Sequence, residues 1–195
     1  ALRRALSLAE EHFGPAAREA VAPLAELARV LHIKAGCLVA DAEGLRLYER
    51  AYEIASRTHK GEKASLAFIT NAYGSALTRT EDGRERGLDL MRDAFSLVDG
   101  DADHTNDAAW IAMDLVGALL LQRRLSEALP VARRLVELRG SEKPRDIMYA
   151  HVLVTLGRVL AGLGEPDAAP EALDECRDFA VHLERSALEE GVLGL

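Results

Sequence analysis

The sequence predicts an all-α protein in which antiparallel helical hairpins stack in a row. The first observation is a repeat: a small residue is followed four and seven places later by residues that pack, as in Gly44, Tyr48 and Ala51. Residues with this spacing share one face of a helix. The repeated pattern starts at Gly44, Gly87, Ala128 and Ala169. The steps between these anchors are 43, 41 and 41 residues, and a two-helix unit of this length is typical of a stacked helical array.

Composition is the second observation. Hydrophobic residues make up 49% of the 195-residue chain, which is ample for a core, whereas aromatic residues make up only 5%. Ala and Leu supply most of the apolar residues, and both favour helices. No long stretch alternates β-branched or aromatic residues with polar ones, as a half-buried strand would. We therefore expect helices and no sheet.

The elements follow in order from these patterns. Gly14 and Pro15 end the leading helix, because glycine accepts a left-handed cap and proline can start the next helix. Pro23 lies inside the next predicted helix and should bend it or delay its start. Gly164 and Pro166 form the turn within the last unit. Nine helical stretches are expected, at 1–12, 16–35, 41–59, 62–79, 82–98, 105–122, 125–139, 145–163 and 166–184.

A single repeat array is predicted over residues 1–195. Its complete units are expected at 16–59, 62–98, 105–139 and 145–184, and 185–195 is a tail or the start of another unit. Ala1, Ala5 and Leu8 repeat the anchor spacing, so residues 1–12 are expected to form the second helix of a preceding unit. On this interpretation the chain is a segment of a longer protein.

The hairpins resemble tetratricopeptide repeats, and the fourth unit does so best. Its Leu156, Gly157 and Leu160, followed by Gly164 and Ala169, reproduce that family's order of large, small, large, turn glycine and small residues. The 41–43-residue step is similar to the longer units of kinesin light chains and many bacterial signalling proteins. The resemblance implies an α-solenoid of helical hairpins wound into a right-handed superhelix. A HEAT-like or other α-solenoid is the alternative at this period.

The resemblance also implies a binding face. In this family the first helices of successive units line a concave surface that holds peptides, and the repeat register carries those positions onto this chain. The residues predicted to bind a partner are Arg29, His32, Phe68, Asn71, Ser75, Trp110, Met113, His151 and Arg158. Thr78, Leu120 and Val154 are expected on the same face.

Several of these side chains have two interpretations. Trp110, the only tryptophan, either anchors a partner side chain or plugs the core between repeats, and the same choice applies to Phe68. Asn71 either hydrogen-bonds a peptide backbone or lies on a solvated helix face. Arg29 and Arg158 are placed to meet carboxylates of a partner.

A clamp for a terminal carboxylate is not expected. Family members that read chaperone tails carry paired Lys/Arg and Asn residues. At the matching positions this chain has Ala25 with Arg29, and Trp110 with Asp114. These departures argue against a carboxylate ligand of that kind.

Charge and hydropathy argue against nucleic-acid and membrane partners. The net charge of −8 and the pI near 5.3 argue against nucleic acids and anionic membranes, which favour basic surfaces. No run of 18 apolar residues and no signal peptide occurs. Cys37 and Cys176 are far apart and form no paired motif, which is compatible with a reducing cytoplasmic setting.

No catalytic, cofactor or metal motif is recognisable. The acidic run Asp99-x-Asp101-x-Asp103 begins like a calcium loop, but His104 takes the glycine position and Trp110 the bidentate glutamate position. No metal-binding histidine motif, nucleophile elbow or phosphate loop is present. The chain is therefore not expected to be an enzyme or to bind a cofactor.

Two functional hypotheses remain. The first is a protein–protein interaction module that binds a peptide or protein segment on its concave face, as part of a larger bacterial signalling protein. The second is an intramolecular scaffold that restrains a fused effector domain such as a kinase or protease. Self-association through the terminal helices is a third possibility, so the oligomeric state stays open.

Overall fold

The computed structural model describes residues 1–35, 41–140 and 147–164, together with Asp174 and Arg177. The regular elements in these ranges are all helical, as the sequence predicts. The α-helices are α1 (Leu2–Phe13), α2 (Val21–Lys34), α3 (Ala42–Thr58), α4 (Lys63–Leu77), α5 (Arg84–Val98), α6 (Thr105–Leu121), α7 (Leu125–Gly140) and α8 (Ile147–Leu163). Short 3-10 helices at Arg18–Ala20 and Ala102–His104 precede α2 and α6.

Some predictions lie outside the described residues. These are the linker at 36–40 with Cys37, the connector at 141–146, nearly all of the helix at 166–184 with Cys176, and the tail at 185–195.

The chain divides into two compact units, Ala1–Ala118 and Leu119–Leu195. In unit one, α2 packs against α3, α3 against α4, and α4 against α5. In unit two, α7 packs against α8.

The first hairpin of unit one is antiparallel. Leu24 of α2 shares a buried cluster with Ala51 of α3. One turn later along α2, Ala28 shares the adjacent cluster with Tyr48, which lies earlier on α3. Positions that advance along one helix therefore meet positions that retreat along the other.

The repeat anchors are buried where the sequence predicts them. The buried positions of the first three copies are Gly44, Tyr48, Ala51, Gly87, Met91, Ala94, Ala128, Ala132 and Leu135. The fourth copy, Ala169, Leu173 and Cys176, lies outside the described residues. Small anchors are needed because the helices approach closely: a Cβ on Gly44 would lie 3.3 Å from the carbonyl oxygen of Ala28.

The spacing in α1 is not buried in this way. Ala1 and Ala5 are exposed, and Leu8 is 45% exposed. In α3 the equivalent residues face the first helix of the same hairpin, whereas no described helix packs on that side of α1. Instead, α1 contacts α2, with Leu6 against the cluster that contains Leu24. That residues 1–12 complete a preceding unit stays a prediction.

Local signals fix where the helices of unit one begin. Pro23 is the third residue of α2, which starts at Val21 after a 3-10 turn instead of at the predicted residue 16. Proline is tolerated there because the first N–H groups of a helix have no intrahelical partner. Asp41 caps α3, with its Oδ1 accepting a hydrogen bond from the Gly44 N–H at 2.6 Å.

The turn after α6 gives Arg123 the backbone conformation of a turn glycine. Arg123 has a φ of 57°, and Gly164, one 41-residue step later, has a φ of 77°. The N–H of Arg124 donates to the Leu119 carbonyl at 2.9 Å, and that of Arg123 donates to the Leu120 carbonyl at 3.0 Å. These two bonds form a Schellman motif, which requires a left-handed residue at the position of Arg123.

Candidate functional site

The candidate site is an open cavity of about 580 Å³ in unit one. Its wall consists mainly of residues from α2 and α4, with one residue each from α3 and α6. The lining residues are Ala22, Ala25, Glu26, Arg29, His32, Tyr48, Phe68, Ile69, Asn71, Ala72, Ser75, Ala76 and Asp114. Its volume lies within the roughly 300–1,000 Å³ typical of ligand pockets.

Helical spacing explains why these side chains converge. Ala22, Ala25, Arg29 and His32 follow one another at intervals of three or four residues, so they share one face of α2. Phe68, Ala72 and Ser75 do the same on α4, and Ala76 lies four places after Ala72. Because alanines occupy much of both faces, the space between the helices stays open.

A hydrogen bond between Asn71 and Asp114 forms the polar end of the cavity. Nδ2 of Asn71 donates to Oδ2 of Asp114 at 2.7 Å, across 43 residues of sequence. The two residues lie on α4 and α6, the first helices of the second and third units. Asn71 is only 5% exposed, and its Oδ1 has no hydrogen-bond partner. Because the Asn71 oxygen is buried, the carboxylate of Asp114 is the acceptor that the pair presents to the cavity.

Asp114 is an unfavourably placed carboxylate. Surrounding protein removes water from it, which raises the pKa of Asp114 above its ordinary value, although the hydrogen bond from Asn71 and the charge of Arg79 act in the opposite direction. Asp114 as a whole is nevertheless exposed, so solvent screens this effect. Desolvation is thus the largest influence on the pKa of Asp114, even though the cavity is open.

Glu26 and Arg29 form an ion pair at the rim. Nε of Arg29 donates to Oε2 of Glu26 at 2.9 Å, and Nη2 donates to Oε1 at 2.5 Å. The hydrogen bond from Arg29 lowers the pKa of Glu26. Both side chains are substantially exposed, so the pair adds little to stability. Its consequence is that the guanidinium of Arg29 is already matched to a carboxylate.

The remaining polar groups of the cavity are His32 and Ser75. Burial, and then the charge of Arg79, lowers the pKa of His32, which favours the neutral imidazole near pH 7. Oγ of Ser75 accepts a hydrogen bond from Nη1 of Arg79 at 2.9 Å. Neither residue adds a positive charge to the cavity at neutral pH.

The structure brings together five of the nine predicted site residues. Arg29, His32, Phe68, Asn71 and Ser75 all line the cavity. Phe68 is 60% exposed, so its ring is not buried in the core.

The other four predicted residues do not line it. Trp110 is 47% exposed and Met113 is half-buried, both on α6. His151 and Arg158 are exposed on α8 in unit two. A binding role for these four residues stays a prediction.

Sequence reasoning missed several residues of the cavity. Glu26, Ile69 and Tyr48 were not among the expected positions, and Asp114 was noted only as a departure from a carboxylate clamp. Asn71 and Asp114 are 43 residues apart, whereas the anchors of their two units, Gly87 and Ala128, are 41 apart, so the register alone did not predict this contact. The register did not predict Tyr48 either, since it reaches the cavity from the second helix of a hairpin.

Comparison with known proteins finds likeness in structure and not in sequence. No protein-family model matches the chain, and no curated protein matches it. BtubC (BKLC) from P. vanneervenii superimposes with a TM-score of 0.73 at 16% identity, over 94% of this chain and 74% of that one. The fold is a tetratricopeptide-like helical repeat.

Two crystal structures of a kinesin-light-chain-like protein from Podosopora anserina, with nearly identical TPR-like repeats, agree with this fold. They superimpose with TM-scores of 0.76 and 0.75, each at 16% identity and over 94% of this chain. The match covers 85% and 86% of those chains. The tetratricopeptide-like α-solenoid predicted from the anchors is thereby confirmed as the fold.

Membrane-spanning and metal-binding features are absent from the part of the chain that the structure describes. No helix there is long and apolar enough to cross a bilayer. In the same ranges, no three His, Cys, Asp or Glu side chains come together as metal ligands would.

Proposed function

We propose that this protein is a protein–protein interaction module that holds a peptide or protein segment in the cavity between α2 and α4. The observation that carries the proposal is the cavity itself, of about 580 Å³, with alanine walls and an exposed Phe68 beside it. A large aromatic ring left in water is unfavourable, and a partner that covers it gains from burial of apolar surface.

The distribution of small and large side chains supports a peptide as the occupant. Ala22 and Ala25 on α2, with Ala72 and Ala76 on α4, leave a space between two helices that a side chain of a partner can fill. Phe68 provides an edge against which a second apolar side chain packs. Such an arrangement of one pocket and one aromatic neighbour resembles the centre of a protein interface.

The polar groups of the cavity support a partner that supplies hydrogen-bond donors. Arg29 is paired with Glu26, so its charge is already matched. Asp114 places a negative charge in the cavity, where a carboxylate ligand would need a cation. A partner segment with a terminal carboxylate therefore meets an unfavourable charge. Backbone N–H groups or cationic side chains meet acceptors instead.

A direct test uses a phage-displayed random dodecapeptide library selected on the full chain. Peptides that bind are synthesised with a fluorophore, and their dissociation constants are measured by fluorescence polarisation. Ala72→Arg fills the cavity, so we expect it to weaken binding by about tenfold or more, since it removes the apolar contact and obstructs the space.

The matched control is Ala161→Arg, the same change at an exposed position of α8 in unit two. It should leave the affinity within about twofold. Circular dichroism melting checks that both variants fold. Equal affinities for the wild type and Ala72→Arg, with both folded, overturn the proposal.

A further inference from the structure

Two unfavourable features occur at one place in the cavity. The amide oxygen of Asn71 is buried without a hydrogen-bond donor, and a buried acceptor in that state costs about 1–3 kcal/mol. The neighbouring Asp114 is exposed at the cavity, but nearby protein partly desolvates its carboxylate and raises its pKa. Polar groups that are poorly satisfied in the free protein are typical of sites that a ligand completes.

A cation in the cavity relieves the second of these features. Oδ2 of Asp114 accepts from Asn71, whereas no hydrogen bond to Oδ1 of Asp114 is found in the described residues. A cation beside Oδ1 restores the electrostatic stabilisation that desolvation removed.

The surrounding charges leave room for an added cation. Arg29 is neutralised by Glu26, and the lowered pKa of His32 keeps its ring neutral near pH 7. Arg79 also acts on Asp114, and its influence does not outweigh the desolvation of the carboxylate. The chain as a whole carries a net charge of −8, which attracts cationic segments over longer distances.

The geometry favours an ammonium over a guanidinium. A planar guanidinium binds best when both oxygens of one carboxylate are available side by side. In Asp114 one oxygen already accepts from Asn71. An ammonium is a compact charge with rotatable donors, so it can contact the remaining oxygen alone, while its methylene chain packs along the alanine wall.

We propose that the Asn71–Asp114 pair is a recognition point for a lysine side chain of the bound segment, with an apolar residue of the same segment packing on Phe68. Asp114 contacts the ammonium, and Asn71 is the positioning residue that holds the carboxylate. This inference rests on the proposed function, because the lysine arrives on a peptide that occupies the cavity.

The test is a double-mutant cycle on peptides from the dodecapeptide library. Each selected peptide is compared with a version in which lysine is replaced by norleucine, which keeps the methylene chain and removes the ammonium. We expect lysine to be enriched at one position, and norleucine to weaken binding to the wild type by about tenfold, as for a hydrogen bond to a charged group. On Asp114→Asn the same replacement should change the affinity by less than about twofold.

Asp93→Asn is the charge-matched control, because Asp93 is exposed on α5 and lies outside the cavity. On this variant the norleucine penalty should stay at its wild-type value. A third peptide with arginine in place of lysine should bind more weakly than the lysine peptide. Equal or tighter binding of the arginine peptide contradicts the assignment of lysine.

The outcomes separate this inference from the proposed function. If peptides bind the cavity and are displaced by Ala72→Arg, but lysine is not enriched or its penalty does not depend on Asp114, the lysine site is wrong and the interaction module stands. If no selected peptide is sensitive to Ala72→Arg, both proposals are wrong. Lysine enrichment with full coupling to Asp114 supports both.

Discussion

Gly74 of α4 and Gly87 of α5 lie in backbone contact. A Cβ built on Gly87 would lie 2.6 Å from the carbonyl oxygen of Gly74, and a Cβ on Gly74 would lie 2.7 Å from the carbonyl oxygen of Gly87. Neither backbone can yield without moving its whole helix. The two glycines therefore set the distance between the helices of this hairpin, and through α4 they help to position one wall of the cavity.

Alanine at either glycine should destabilise the fold. We expect Gly74→Ala or Gly87→Ala to lower the free energy of unfolding by roughly 1–3 kcal/mol, because the added methyl overpacks a helix crossing. Urea denaturation followed by circular dichroism measures the change.

Gly117 on α6 is the control for these two substitutions. Among the described residues, nothing lies within 4 Å of the place that a Cβ on Gly117 would take. Gly117→Ala should therefore raise the free energy of unfolding by up to about 1 kcal/mol through helix propensity. Destabilisation by all three variants contradicts the crossing argument.

Arg123 holds a left-handed conformation that a glycine would adopt without steric cost. Arg123→Gly should therefore raise the free energy of unfolding by about 1 kcal/mol. Arg133→Gly makes the same chemical change at an exposed position inside α7 and should lower it by a similar amount, about 1 kcal/mol. Chemical denaturation of the two variants side by side gives opposite signs if the turn geometry is right.

Two buried tyrosines predict a loss of stability at alkaline pH. Burial raises the pKa of Tyr48 to about 12, and burial together with the hydrogen bond to Glu49 raises the pKa of Tyr73 to about 12. Both folded-state values exceed the ordinary value of 10.0, so the neutral phenols stabilise the fold fully below that pH. This stabilisation is lost as the pH rises from 10 to about 12.

Melting temperatures across the alkaline range test this expectation, with tyrosinate absorbance recorded in parallel. A variant with Tyr48→Phe and Tyr73→Phe should lose less stability between neutral and alkaline pH than the wild type. The same alkaline loss in both proteins means that other groups control it.

The raised pKa of Asp114 predicts that its substitution affects stability and binding in opposite directions. Because desolvation raises its folded-state pKa, the contribution of Asp114 to stability is greatest below its unfolded pKa and is lost as the pH rises through the folded value. At neutral pH the ionised carboxylate is thus slightly unfavourable in the free protein, because solvent at the exposed Asp114 screens most of the effect. Asp114→Asn should melt at or above the wild-type temperature at pH 7, and the difference should shrink in acid.

The same substitution should weaken binding of a lysine peptide by about tenfold. Calorimetric melting and fluorescence polarisation on one preparation measure both effects. A variant that binds normally, or that melts well below the wild type, contradicts the role given to this carboxylate.

The fold could be predicted from the sequence because the positions of close helix packing recur with the repeat. Gly44, Gly87 and Ala128 are buried at regular steps, and Arg123 adopts the turn conformation that its register predicts. The face of α2 and α4 that lines the cavity also followed from register, since Arg29 and Asn71 both lie on it. These features depend on helical periodicity, which one sequence carries in full.

The chemistry of the cavity depended on contacts that periodicity does not determine. Glu26 neutralises Arg29 through a choice of rotamers on one helix, and Asn71 turns its amide nitrogen towards Asp114 while its oxygen stays without a partner. Such choices depend on side-chain packing across helices. A bacterial origin, a cytoplasmic location, a fused effector domain and the oligomeric state stay predictions of the sequence.

The most direct measurement of the central claim is a chemical-shift map of the full chain, of 21.2 kDa, with a library-selected peptide. Backbone amide shifts are recorded while the peptide is added to the isotope-labelled protein. We predict that the largest changes cluster between Ala22 and His32 on α2 and between Phe68 and Ala76 on α4. Changes confined to α5, α7 or α8, with these two segments unaffected, contradict the assignment of the cavity as the binding site.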